Sequence, residues 1–151
     1  MFGKPVSDYL RFQRVALVTL ASVGVLRLAL SLGGVPTSTV KFLSMNVVGW
    51  AAVFYYGVAV YRSGFGSYKQ LVPLATFQIA LQQAIACLGI LIAIAGFPNV
   101  FSAPEFSAGS NQWIHLAAHL TVGIVVPILL FWGIGSLTML ITKKVSRPAY
   151  A

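Results

Sequence analysis

Four long apolar runs constrain this chain more than any other feature of its sequence. A helix needs roughly 20 mostly apolar residues to cross about 30 Å of hydrocarbon. The four runs cover residues 14–32, 40–61, 71–96 and 112–142, and glycine, proline, serine and charged residues separate them. We therefore predict an all-α integral membrane protein in which residues 1–151 form a single membrane domain, a four-transmembrane-helix bundle.

The composition excludes a soluble protein. Hydrophobic residues make up 58% of the chain and charged residues only 8%, which is too little polar surface to cover a water-soluble domain. The formal net charge of +8 could suggest nucleic-acid binding, but the charges lie in the connections between apolar runs and form no basic domain. The expected partner of this surface is the lipid bilayer, and no nucleic acid is expected.

The distribution of lysine and arginine predicts the topology, because cytoplasmic segments of membrane proteins carry the excess of these residues. One side of the layout carries Lys4, Arg11, Arg14, Arg62, Lys69, Lys143, Lys144 and Arg147, and the other side carries Lys41 and the intramembrane Arg27. Both termini are therefore predicted to be cytoplasmic, and the connections 33–40 and 97–111 external.

The first apolar run could also be read as a signal peptide, but no clean cleavage site follows it, so we expect a membrane span. Short connections and the absence of any N-x-S/T sequence favour a multi-pass protein of a bacterial plasma (inner) membrane.

Small residues recur at four-residue spacing in the third run. Ala80 and Ala84 form one pair, and Gly89 and Ala93 form another. Such pairs let helix backbones approach closely in lipid, so these residues are predicted helix-packing positions. The alternative is that alanine and glycine are simply common in membrane helices.

The fourth run contains a proline within its predicted helix. Pro127 has no N–H group, so it leaves the carbonyl of Gly123 without its helical donor. We predict either a kinked, closely packed helix contact or the wall of a pocket around Gly123 and Pro127.

Three amide side chains lie in the third run, where lipid would penalise them. Gln78, Gln82 and Gln83 should therefore face protein. Two interpretations remain open: hydrogen bonds between helices, with Ser22 or Thr19 as partners, or a lining for a polar ligand such as a quinone head group.

A second polar group is predicted near the external surface. His115 and His119 are one helical turn apart at the start of the fourth run, and they project from the same helical face. Arg27, Asn46 and Glu105 fall at a similar depth in the predicted layout. These five residues are the candidate ligand or cofactor site.

Histidine in this position permits several kinds of chemistry. His115 and His119 could chelate a metal ion, with Glu105 as a third ligand. Haem b is also possible, but two histidines on one helical face cannot bind one iron from opposite sides, so a second axial ligand would have to come from another chain. The plainest alternative is that both histidines bind water, lipid head groups or a neighbouring helix.

The sequence offers no catalytic group that stands out. Its two acids, Asp8 and Glu105, lie on opposite sides of the membrane in the predicted topology, and the single cysteine, Cys87, has no second cysteine with which to form a disulfide. Catalytic activity is therefore not expected.

The leading hypothesis is an accessory or assembly subunit that acts through helix contacts with other membrane subunits or in a homo-oligomer. The alternatives are a redox subunit that binds haem, metal or quinone, and a small oligomeric transporter or channel.

Overall fold

The protein is an all-helical membrane bundle, as the apolar runs predict. The computed structural model describes residues 1–102 and 111–146, and all regular secondary structure in these two ranges is helical. The helices are α1 (Val6–Phe12), α2 (Arg14–Leu32), α3 (Thr37–Val40), α4 (Met45–Arg62), α5 (Tyr68–Ile94), α6 (Asn111–Leu120) and α7 (Val122–Val145). Within the described ranges, four segments are long and apolar enough to cross a membrane.

The largest differences between the helix bounds and the predicted spans are at the start of α4, at the start of α5 and within the fourth apolar run. α2 covers the same residues as the first apolar run, but α4 begins at Met45 rather than at residue 40. Ser44 ends the preceding connection with an extended backbone, and its hydroxyl accepts a hydrogen bond from the amide of Val47. This contact satisfies one of the amides at the start of a helix that have no intrahelical acceptor.

The third membrane-spanning helix, α5, begins at Tyr68, three residues before the start of the predicted span. The side chain of Gln70 accepts a hydrogen bond from the backbone amide of Ser67 at 2.7 Å, and this reach back to the preceding backbone stabilises the first turn of α5. This earlier start makes Pro73 the sixth residue of α5, and the helix continues through it.

The fourth apolar run forms two helices rather than one. α6 ends at Leu120 and α7 begins at Val122, and the backbone of Thr121 between them leaves the helical region with φ −117° and ψ −88°. A proline ring clashes with the carbonyl four residues before it and removes its hydrogen bond. That carbonyl belongs to Gly123, the second residue of α7, so Pro127 leaves an unpaired carbonyl close to the break at Thr121.

The main core lies at the end of the bundle where α4 ends and α5 begins, the predicted cytoplasmic end. Short helix α1, which the apolar pattern does not predict, covers this end and places Tyr9 inside it. The buried residues of this core are Tyr9, Ala52, Tyr56, Val60, Leu71, Leu74 and Met139. At the other end, smaller apolar clusters leave space between the helices, and the candidate site lies there.

The predicted orientation can be measured by cysteine labelling. In a variant in which Cys87 is replaced by alanine, Phe42→Cys should react with an impermeant maleimide from outside intact cells, because Phe42 is 81% exposed in the connection before α4. Lys69→Cys, at the opposite end of the bundle, should react only after the membrane is opened. The reverse pattern would overturn the predicted orientation without affecting the fold.

Candidate functional site

A cavity with a mixed polar and apolar lining lies between α2, α4, α5, α6 and α7, towards the end where α4 begins. Its volume is about 410 Å³, which falls in the range of small-ligand sites. Its polar lining residues are Arg27, Asn46, Gln82, Gln83 and His119, and its apolar ones are Met45, Trp50, Ile79, Ala86, Phe101, Pro127, Leu130 and Phe131. The cavity thus brings Arg27, Asn46 and His119 of the predicted external group together with Gln82 and Gln83 of α5.

Two of the glutamines hold α5 against α4. Gln78 Nε2 donates to the carbonyl of Gly49 at 3.1 Å, and Gln82 Nε2 donates to the carbonyl of Met45 at 3.0 Å. The expected partners Ser22 and Thr19 are not used, because both side chains lie on an exposed part of α2. Backbone carbonyls of a neighbouring helix serve instead, since Gly49 has no side chain to keep the amides away.

The third glutamine binds the carbonyl that Pro127 releases. Gln83 Nε2 donates to the carbonyl of Gly123, the residue four positions before the proline. The glutamine therefore replaces the missing helical donor and ties α5 to the break in the fourth apolar segment. The proline in one helix and the amide in another, which the sequence presents as separate features, form a single hydrogen-bonded contact.

This contact also determines the orientation of the histidines. Because the Nε2 group of Gln83 faces a carbonyl, its Oε1 atom is left to accept, and it lies 2.6 Å from His119 Nδ1. His119 therefore carries its proton on Nδ1. Its Nε2 atom lies 3.1 Å from His115 Nε2, and with the proton of His119 on Nδ1 it accepts a hydrogen bond from the Nε2–H group of His115.

Arg27 places a positive charge at the edge of the cavity. Its guanidinium lies 5.7 Å from the centre of the Phe101 ring, close enough for a cation–π contact. Its Nε atom is buried and has no hydrogen-bond partner among the described residues. The carboxylate of Asp8 lies in α1 at the opposite end of the bundle, so the part of the chain that the structure describes provides no acid beside this charge.

Asn99, which sequence reasoning missed, holds the loop beside the cavity. Its Nδ2 atom donates to the carbonyl of Gly89 at 2.8 Å, and its Oδ1 atom accepts from the amide of Phe101 at 3.0 Å. The ring of Phe101 then packs directly on Gly89. An asparagine two residues before an aromatic residue in a turn is the available sequence signal, since Asn side chains often bind the backbone two residues ahead.

A second cavity of about 420 Å³ lies on the outer side of the histidines. It is lined by Thr37, Asn99, Val100, Phe101, Ser102, His115 and His119. Since His119 and Phe101 border both cavities, these two side chains lie between the outer cavity and the Arg27 cavity.

The predicted ligand groups are brought together only in part. Asn46 lines the Arg27 cavity but is an exposed residue in the first turn of α4. Glu105 lies outside the described residues. Within residues 1–102 and 111–146, no group of three or more histidine, cysteine or acidic side chains is placed to hold a metal ion.

The small residues of α5 divide between two surfaces. Gly89 and Ala93 are buried, and Gly89 receives both Asn99 and Phe101. Ala80 and Ala84 are exposed, so this pair does not provide the predicted close packing inside the bundle. The difference arises because the buried face of α5 is set by its glutamines and larger apolar residues, which lie on the other side of the helix.

In comparisons with known proteins, no protein-family model, no curated protein and no solved structure matches this chain.

Proposed function

We propose that this small polytopic membrane protein binds the head group of a membrane-soluble quinone in the Arg27 cavity and serves as a redox membrane subunit. The observation that carries the proposal is that Arg27 lines the cavity while its Nε atom has no hydrogen-bond partner among the described residues. An ionisable side chain inside a membrane span is costly, and it is usually kept for function. A quinone carbonyl oxygen accepts hydrogen bonds, and it gains negative charge when the quinone is reduced.

The remaining lining of the cavity suits a flat ring with polar edges. Trp50 and Phe131 lie with their ring centres 4.7 Å apart, and they offer aromatic surface on the α4 and α7 sides. The amide groups of Gln82 and Gln83 and the His119 ring line the polar side. A second carbonyl of the ligand would accept from the remaining N–H of the Gln82 or Gln83 amide, because the first N–H of each already donates to a backbone carbonyl.

The rim of the cavity offers a route for an apolar tail. Leu130 lines the cavity and is 51% exposed, and Trp50 is 36% exposed. Both belong to helices that we place in the bilayer, so a prenyl tail that leaves past them would enter lipid. Exchange of electrons with the bound quinone would require a partner subunit that carries a redox centre.

The test measures the affinity of the purified protein, in lipid nanodiscs, for a short-chain quinone. Binding is monitored by the quenching of tryptophan fluorescence. Replacing Arg27 with glutamine removes a charged donor, and a hydrogen bond to a charged group contributes about 1.5–3 kcal/mol. Arg27→Gln should therefore raise the Kd by about 10- to 100-fold. Arg14→Gln is the matched control, because it removes the same charge from the first residue of α2, away from the cavity, and it should leave the Kd unchanged.

Two results would contradict the proposal. One is the absence of saturable quinone binding by the unmodified protein, and the other is an equal Kd for the unmodified protein and Arg27→Gln. Circular dichroism and size-exclusion profiles of both variants show whether the bundle remains folded, so a loss of affinity in a folded Arg27→Gln variant is attributable to the guanidinium.

A second candidate function is supported by the exposed alanines. Ala80 and Ala84 present a small-residue face on the surface of α5, and such a face allows close contact with a helix of another chain. This arrangement favours an accessory or assembly subunit, or a homo-oligomer. A protein that binds no quinone but elutes as a defined oligomer or complex would favour this candidate over the redox subunit.

The transport hypothesis has less support. The Nε2 groups of Gln78, Gln82 and Gln83 each donate to a backbone carbonyl of another helix, which is a structural use of the amides that would otherwise line a path.

A further inference from the structure

From the geometry of the histidine pair, we infer that His115 and His119 form a binding site for a divalent transition-metal ion of the Cu²⁺ or Zn²⁺ class, on the outer-cavity side of His119, a residue that also borders the Arg27 cavity. The two Nε2 atoms are 3.1 Å apart. Imidazole nitrogens bind zinc at about 2.0–2.1 Å. If one ion lies at this distance from both nitrogens, the nitrogen–metal–nitrogen angle is about 95–102°. This angle lies between the octahedral value of about 90° and the tetrahedral value of about 109°.

The atom of His119 that would not bind the metal is already held in the required state. Histidines that bind metals usually donate their other ring N–H to an oxygen acceptor, which fixes the tautomer and the ring orientation. His119 Nδ1 lies 2.6 Å from Gln83 Oε1, so its Nε2 lone pair is available on the side of His115. The proton that His115 places between the two Nε2 atoms has to leave that position when a metal binds.

The support for His119 is itself rigid. Gln83 cannot readily exchange its amide oxygen and nitrogen, because its Nε2 group donates to the carbonyl of Gly123. That carbonyl lacks its helical donor because of Pro127. The contact from α5 thus prepares one ligand of the proposed site before any ion arrives.

The outer cavity supplies room for the remaining ligands. It has a volume of about 420 Å³ and places Asn99 and Ser102 near the two histidines, so water molecules that complete the coordination shell would have polar neighbours. Imidazole ligands suit copper, zinc and nickel, whereas magnesium and calcium prefer oxygen. Copper(II) should bind most tightly, as expected from the general order of divalent-ion affinities.

The test is a calorimetric titration of the detergent-purified protein with Cu²⁺ or Zn²⁺. The protein carries a purification tag that contains no histidine. One equivalent should bind, and the Cu²⁺ complex should show nitrogen hyperfine splitting in its electron paramagnetic resonance spectrum. His115→Ala and His119→Ala should each weaken binding at least 10-fold. Gln83→Leu should weaken it by about 10- to 100-fold through the lost support of His119.

The control is Trp113→Phe, which changes an exposed side chain of α6 on the helical face opposite the histidines and should leave affinity unchanged. Arg27→Gln should also bind metal as the unmodified protein does, so failure of the quinone proposal and failure of this one are distinguishable. Equal affinity of the unmodified protein and a folded His115→Ala or His119→Ala variant would overturn the inference, as would unmodified protein that binds no ion. Unchanged affinity in Gln83→Leu would overturn the role assigned to Gln83.

Discussion

Replacement of Gly57 with valine is expected to destabilise the bundle by about 2 kcal/mol or more. α4 and α7 pack closely at this point: a Cβ atom on Gly57 would lie 2.6 Å from the carbonyl oxygen of Gly135 and 2.6 Å from Cβ of Thr138. Ordinary van der Waals contact begins near 3.4 Å. The backbone oxygen cannot rotate away as a side chain can, so the two helices must separate.

The chain contains its own reporter for this experiment. Cys87 is the only cysteine of the sequence and is buried, so a thiol-reactive dye should label it rapidly only after the bundle opens. The free energy of unfolding can then be followed by labelling during titration of mixed micelles with sodium dodecyl sulfate. Gly57→Val should shift the midpoint to a lower detergent fraction.

Gly133→Val is the matched control for Gly57→Val. It introduces the same β-branched residue into a membrane helix, but a Cβ atom on Gly133 would meet nothing within 4 Å. We expect little change in its midpoint. If the two variants are equally destabilised, helix propensity rather than the contact between α4 and α7 accounts for the effect, and the close packing described for Gly57 is contradicted.

Replacement of Tyr9 with alanine is expected to release α1 from the rest of the protein at a cost of about 3 kcal/mol, by analogy with other large-to-small aromatic substitutions. Tyr9 has no exposed surface. Its ring packs edge-on against Phe65 with centres 5.5 Å apart, and its hydroxyl donates to the carbonyl of Met1 at 2.8 Å. Amide hydrogen exchange in residues 6–12 measures the expected loss of protection directly.

Two substitutions separate the contributions of Tyr9. Tyr9→Phe keeps the ring and loses the hydroxyl contact, so it should cost only about 1 kcal/mol. Leu10→Ala changes the neighbouring residue, which is 43% exposed, and it should leave the protection of α1 nearly unchanged. Equal protection in Tyr9→Ala and the unmodified protein would show that α1 is held by other contacts.

Some residues of the candidate site could be predicted from the sequence individually, but their arrangement could not. Helical spacing alone places His115 and His119 on one face, and the chemistry of proline alone identifies Gly123 as the owner of an unpaired carbonyl. Neither argument names Gln83, which lies 40 residues earlier in the chain. The contact forms because the packing of α5 against α7 brings an amide to that carbonyl.

The sequence also could not predict which face of each helix is buried. Ala80 and Ala84 have the spacing of a helix contact, yet they are exposed, whereas Gly89 and Ala93 with the same spacing are buried. Spacing determines only that two residues share a face. Which face points inward depends on every larger side chain on the helix and on the shape of its neighbours.

The sequence by itself determined the class of the protein and its four membrane segments, because the length and polarity of a membrane helix follow from the thickness and polarity of the bilayer. It also determined where charge and amides would require protein partners. Only the tertiary structure decided which partners these are: backbone carbonyls for the glutamines, Gln83 for His119, and no described counter-charge for Arg27. The physical reason is that hydrophobicity acts along each segment separately, whereas hydrogen bonds and close packing depend on the rotation and depth of several helices at once.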